Sequence, residues 1–353
     1  MPDYAHFQAG AALMQAAMAG ETTRMPVYAQ MHEFVAAQLR IPGEVFYTRP
    51  DVLVPAMLEV QTQYGLDVVN LTYDIYNIEA EALGQRVVYT DANMADIDRG
   101  VQLVRERSDL ACIKTPDFDA AGRFAKVIEI LTLFKRLTGL EPSPGFCAPF
   151  SLAANLRGIE PLLMDIYADP DFARELMTRV TEEVLAPWIL YQQKHFPNAT
   201  GISGADATAS PPIVNVGMLK QWVVPYILRL RELCGSGVYV ANWIGESRLK
   251  NPEEMLKLKL AVGPGSLQGQ DPDVAALGPN MYKRLAEKNG VPLILGVGAA
   301  FLATSTPSEI AERVRRYVET GRKGGRFALY LCNIGATTPP ENLRAAVETA
   351  HAC

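Results

Sequence analysis

The sequence predicts an α/β fold, a (β/α)8 TIM barrel with an N-terminal helical extension and a long insertion after the second strand. Three observations predict it. Eight short apolar runs, 25–31, 67–73, 143–147, 201–205, 237–241, 265–269, 291–297 and 326–331, are spaced along the chain. Helix-like amphipathic segments separate them, and nearly continuous apolar strands between helices imply a parallel sheet buried on both faces. Each run ends close to a polar, small or reactive residue: His32, Asp74, Pro149, Asp206, Asn242, Asp271, Gly298 and Cys332. In a closed barrel those ends share one face, where active sites are built, so the terminal residues form the candidate list.

The elements follow in order. Residues 9–19 read as a short helix ending near Gly20, a leader that caps the barrel bottom, and 22–26 lead into the first strand. Segment 40–66 carries two helical stretches. Between the second and third strands, residues 77–142 form the longest insertion, with a polar stretch at 89–98, a Thr115-Pro116-Asp117 turn and a helix at 120–137. Long insertions at a barrel mouth act as lids or substrate walls. Pro170-Asp171 opens an outer helix to about His195, with Ala173, Leu176, Val180 and Val184 near helical spacing. Pro211-Pro212 ends the loop after the fourth strand, and Trp222, Val223, Pro225 and Tyr226 sit on the next helix. Pro307 takes the first position of a helix over 308–321, with Thr306 as its cap.

Composition narrows the class. The chain has 353 residues, 49% apolar and 20% charged, enough to bury a large core without any mark of disorder. One domain, 1–353, accommodates it, because such barrels occupy about 250 residues or more. The net charge of −6 comes with scattered Lys and Arg, which leaves no basic stripe for nucleic acid. Five widely spaced cysteines without a CxxC pair point to a reducing cytoplasm. The start, Met-Pro-Asp-Tyr-Ala-His, lacks an export signal, and no run approaches the roughly 18 apolar residues of a membrane span. A homodimer is the default assembly for a soluble enzyme.

Several residues carry potential chemistry. Asp74, in Thr-Tyr-Asp-Ile-Tyr with Glu79 and Glu81 nearby, either takes part in proton or cation chemistry or caps the next helix. Asp206 sits among small residues that leave room for a ligand, and a carboxylate on a buried sheet is costly without a partner. Cys332 is a candidate metal ligand or nucleophile, or a small buried hydrophobe. Cys147 shares that choice. His32 is the only one of four histidines at a strand tip, the acid/base or ligand candidate. The sequence holds no P-loop, HExxH, GxSxG or corrinoid-type Asp-x-His-x-x-Gly motif.

The chain resembles the uroporphyrinogen decarboxylase superfamily, and within it the corrinoid-dependent methyltransferase branch. The resemblance runs over nearly the whole length. It is carried by Arg24-Met-Pro-Val-Tyr, Gly65-Leu-Asp-Val-Val, Tyr73-Asp-Ile-Tyr, Glu79-Ala-Glu-Ala-Leu-Gly, Ala148-Pro-Phe-Ser-Leu-Ala-Ala, Gly204-Ala-Asp-Ala-Thr-Ala-Ser, and Cys332 followed by Thr338-Pro-Pro-Glu-Asn-Leu. It implies a (β/α)8 barrel. Asp74 falls where the decarboxylases keep their catalytic Asp, but the arginine-rich segment that holds their polycarboxylate substrate is replaced by Tyr28-Ala-Gln-Met-His-Glu. A polyanion would lack bidentate partners there.

The coenzyme M methyltransferases of this superfamily bind zinc through a His-x-Cys pair and a later Cys. Here Cys332 matches the last, while Asn242 and Ile244 replace the pair, and neither is a useful zinc ligand. Any zinc must therefore use another set, for which Cys332, Glu79 and Glu81, with Asp206 and His32, are candidates. The resemblance implies methyl transfer between a small substrate, such as a methoxylated aromatic undergoing O-demethylation, and a cobalamin carried on a separate corrinoid protein. His32, Asp74 or Asp206 would donate the proton, and Tyr73, Tyr76, Phe150, Asn242 and Trp243 would wall the substrate. Two alternatives stand: a decarboxylase or lyase of a less charged acid using Asp74, and a non-catalytic barrel that binds a tetrapyrrole or corrinoid.

Overall fold

A computed structural model describes residues 4–91, 93–240 and 242–353. The last position of the 237–241 run and the first three residues of the chain lie outside that range. Nine strands are present among the described residues: β1 (Val27–Ala29), β2 (Val87–Val88), β3 (Asp96–Ile97), β4 (Gly145–Cys147), β5 (Ile202–Ala205), β6 (Val238–Val240), β7 (Leu267–Gln270), β8 (Leu293–Val297) and β9 (Phe327–Leu331). Seven of them correspond to expected barrel strands and run parallel in two arcs, β1-β9-β8-β7 and β4-β5-β6. Helices intervene throughout, giving the α/β architecture of a (β/α)8 barrel. No helix among the described residues is long and apolar enough to cross a membrane.

The expected second strand, 67–73, forms no ladder, and the reason is local. Backbone bonds reach β1 only at the start of the segment, from Asp67 N and Val68 N to Val27 O, and beyond it the buried Gln61 amide accepts from Asn70 N at 2.8 Å and donates to Asn70 O at 3.2 Å. Asp67 accepts from Val27 N at 3.0 Å, which ties the segment to β1. Between β6 and β7 side chains again do the joining. Lys259 donates to Gln268 O at 3.4 Å and pairs with the buried Glu246 at 3.1 Å, while Asp273 accepts from Gly245 N at 2.6 Å.

The leader helix, His6–Ala19, ends where Gly20 adopts φ 82°. It lies against the beginnings of the strands: Arg326 donates to Met18 O at 3.2 Å, and a side chain at Gly10 would overlap the Asp67 carbonyl. Only glycine permits that approach. The expected 120–137 helix spans Phe124–Thr138, and the 89–98 stretch contributes to a small antiparallel hairpin, β2-β3. The helix at Pro307–Gly321 starts with a capping box between Thr306 and Glu309.

Register defines the barrel interior. Tyr28 pairs with Tyr330, Tyr330 with Gly296, and Gly296 with Gln270, so one layer crosses β1, β9, β8 and β7. Ser203 and Tyr239 are register partners on the other arc. Outward positions such as Val27, Ala29, Leu295 and Val297 are fully buried against the helices, whereas Tyr28, Ser203, Tyr239 and Gln270 remain half-buried. The lumen is therefore the part of the barrel where polar side chains meet open space.

Candidate active site

The C-terminal strand ends carry two hydrogen-bonded clusters. The first surrounds Asp74, which is 1% exposed. Arg123, just before the helix of the long insertion, donates from Nη2 to Asp74 Oδ2 at 2.5 Å and from Nε to Glu81 Oε2 at 2.5 Å. Asn77 donates to Asp74 Oδ1 at 2.5 Å, and the Arg123 guanidinium lies over the Tyr89 ring. Burial raises the Asp74 carboxyl even with the guanidinium pulling it down. Close by, His32 Nδ1 meets the Tyr47 hydroxyl at 2.7 Å. Burial pushes the imidazole down to about 4, so His32 is neutral at pH 7.

The second cluster is centred on Asp206, fully buried after β5. It accepts from Ser151 Oγ at 2.8 Å, from Ser151 N at 3.2 Å and from Trp243 Nε1 at 3.0 Å. Burial pushes its carboxyl up to about 6 despite these donors. Asn242 Oδ1 accepts from Asp206 N at 3.0 Å, and Asn242 Nδ2 donates to the Tyr76 hydroxyl at 2.9 Å. Burial, above all, raises the Tyr76 and Tyr330 phenols. Asn242 thus links the Tyr76 hydroxyl to the backbone at the end of β5.

The inward face of the strands carries further residues the sequence did not single out. Tyr28 and Tyr330 stack with ring centroids 4.7 Å apart, and Tyr330 donates to Gln30 Oε1 at 2.7 Å. Burial raises the Tyr28 phenol, with smaller contributions from Cys332 and Tyr239. These tyrosines interrupt apolar strands at alternate positions, the only sequence trace of a lumen lining. Arg123 left no trace, because nothing in the order of residues links an insertion to Asp74, 49 positions away.

The candidate metal ligands are not brought together. Among the described residues no three His, Cys, Asp or Glu side chains converge as a metal set. Glu81 is occupied by Arg123, and fully buried Glu79 accepts from Cys147 N at 3.0 Å. Cys332 Sγ fills the space beside Gly296, and burial together with the Asp271 charge raises its thiol. Asp271 is itself held by Arg313 at 2.9 Å and by the Tyr317 hydroxyl. With Asn242 and Ile244 in place of nitrogen and sulfur donors, this set does not fit zinc, which requires deprotonated or neutral donors in a tetrahedral array.

Of the expected substrate walls, Tyr76 and Asn242 are half-buried, whereas Tyr73, Phe150 and Trp243 are buried behind the surface. Tyr73 turns towards Glu79, Val127 and Trp188 around a gap too small for water. Among the described residues Glu79 Oε2 has no hydrogen-bond partner there. Burial pushes the Glu79 carboxyl up to about 8, which leaves it mostly neutral at pH 7. Outside the lumen, Leu163, Met164, Tyr167, Pro212 and Ile213 line an open apolar groove of about 720 Å³.

Comparison with known proteins agrees with this architecture. The chain is 28% identical over 217 residues to a uroporphyrinogen decarboxylase from Roseiflexus sp. (strain RS-1), covering 58% of this chain and 59% of that protein. The match thus spans less than two thirds of that relative's length. A solved methyltransferase from Methanosarcina mazei superposes with a TM-score of 0.77 at 18% identity, over 95% of this chain and 96% of that one. That likeness shows the shared fold. The profile described as uroporphyrinogen decarboxylase (URO-D) matches residues 10–353, and the chain belongs to that family.

Proposed function

We propose that this chain is a methyltransferase subunit that moves a methyl group between a small, uncharged substrate and a cobalamin carried on a separate corrinoid protein. A methoxylated aromatic undergoing O-demethylation is the substrate class that suits it. The observation that carries this reading is the state of Arg123. The Arg123 guanidinium at the strand ends is engaged by Asp74 and Glu81, while Tyr28, Tyr76, Tyr239 and Tyr330, with Gln30, Gln270 and Asn242, supply rings and neutral hydrogen-bonding groups. A tetrapyrrole with many carboxylates needs free bidentate cations. An aryl ether needs a flat apolar surface and a donor for its oxygen. The methyltransferase description of the Methanosarcina mazei structure is in keeping with this.

The bound corrinoid would supply the centre that exchanges the methyl group. This chain's residues would hold the ring and manage the proton on the departing oxygen, a role that asks for a group titrating near neutrality. Asp206, pushed up to about 6, meets that requirement. The test is demethylation of 2-methoxyphenol in the presence of reduced cobalamin or a corrinoid protein, followed by the cobalamin spectrum and by release of catechol. No turnover with any methoxylated aromatic, methylated amine or thiol acceptor would remove this reading.

One observation favours a second reading. Asp74 is buried at the tip of segment 67–73 in a chain of the decarboxylase family. A decarboxylase of a lightly charged acid would use it to manage the proton, and carbon dioxide release that disappears in Asp74→Asn would establish that reading.

A further inference from the structure

The structure assigns Tyr76 as the hydrogen-bond donor to an acceptor atom of the ligand in the lumen, with Asn242 as the positioning residue that fixes the direction of that hydrogen. The argument begins with a group that cannot reverse. A backbone N–H only donates, so the contact from Asp206 N at 3.0 Å fixes the Asn242 oxygen on that side. The Asn242 NH2 must then face Tyr76, and it donates to the phenol oxygen at 2.9 Å. Tyr76 therefore accepts from Asn242, and its own hydrogen has to point elsewhere. Among the described residues no acceptor receives it, although the Tyr76 backbone carbonyl is satisfied by Asn155 at 2.8 Å.

Location makes this a ligand site. Tyr76 is half-buried, and Asn242 joins its hydroxyl to Asp206 at the end of β5. Its hydrogen, turned away from Asn242, is left to a ligand that enters at the strand ends. The neighbouring rings of Tyr28 and Tyr330 offer a flat apolar surface. Burial raises the Tyr76 phenol, so it keeps its proton across the neutral range. An ether, carbonyl or hydroxyl oxygen on an uncharged aromatic is the acceptor that such a donor beside such a surface would take. The assignment deepens the methyltransferase reading but does not depend on turnover.

The experiment has two arms. A neutron structure of the perdeuterated protein locates the deuterium on Tyr76 Oη. Density directed into the lumen is expected, and density directed at Asn242 would overturn the assignment. In the second arm, ligand-observed NMR compares anisole with ethylbenzene, which has the same shape without the oxygen. The parent is expected to prefer anisole by about fivefold, the size of one neutral hydrogen bond. Tyr76→Phe should abolish the preference.

Asn242→Asp should abolish it too, because an isosteric carboxylate still accepts from Asp206 N but now also accepts the Tyr76 hydrogen. A merely structural role for Asn242 would leave the preference intact in that variant. An undiminished preference in both variants, or failure of both probes to bind the parent, would refute the ligand assignment. Neither arm reads methyl transfer, so a protein with another activity would still give the expected results.

Discussion

Arg123 Nη2 lies 2.5 Å from Asp74 Oδ2, and both side chains are at most 5% exposed. A buried charge pair of this kind contributes little beyond well-packed apolar residues, but removal of one partner strands the other in a low dielectric. Arg123→Met is therefore expected to destabilise the protein by about 3–5 kcal/mol, and the double variant Arg123→Met with Asp74→Asn to recover part of the loss. Urea titration of the parent and the two variants checks it. Equal stability of the parent and Arg123→Met would mean that the pair is not formed.

Gly296 and Cys332 compete for one volume. A Cβ on Gly296 would overlap Cys332 Sγ and come within 2.8 Å of Gln270 Cβ. Gly296→Ala is expected to cost about 1–3 kcal/mol, as overpacking does. Cys332→Ala introduced with it should relieve most of that cost, and a double-mutant cycle on thermal midpoints would measure the coupling. Additive effects would separate the two positions.

Glu79 makes stability depend on pH. Its carboxyl is pushed up to about 8 in the folded chain by burial, against about 4.3 when unfolded. The folded state therefore holds a proton that the unfolded state has released, and stability is highest below the unfolded value and declines as pH rises towards 8. Glu79→Gln lacks that titration, so it should gain on the parent between pH 5 and 8 by on the order of 1.4 kcal/mol per pH unit. Parallel pH profiles of the denaturation midpoint for parent and variant would show that Glu79 is not buried with its proton.

The donor set predicts the metal content. Protein purified without a histidine tag is expected to hold well under one zinc per chain, and Cys332→Ser to leave that figure unchanged. Elemental analysis of both proteins decides it. One zinc per chain that disappears in the variant would mean that Cys332 recruits ligands from a rearranged mouth.

Much of the candidate site's placement at the strand ends was legible in the order of residues. Asp74, Asp206, Asn242 and Cys332 follow apolar runs, and the barrel brings such positions to one face. Their partners were not legible. Arg123 lies in an insertion whose path depends on how its helix packs, and the tyrosines of the lumen read locally as ordinary strand residues. Glu79 and Glu81, two residues apart, look alike in sequence, yet one retains a proton against Cys147 N and the other pairs with Arg123.

By itself the sequence determined the alternation of strands and helices, the leader helix, the long insertion and the face where the candidate residues gather. Each of these follows from hydrophobic period and chain punctuation, which act over a few residues. Only the tertiary structure decided that segment 67–73 is held by Gln61 in place of a ladder, that Tyr28 stacks on Tyr330, and that Asn242 turns the Tyr76 hydrogen towards the lumen. Those outcomes depend on register and on which distant side chains reach one another once the strands have curved around a common axis. The local pattern of residues does not carry that information.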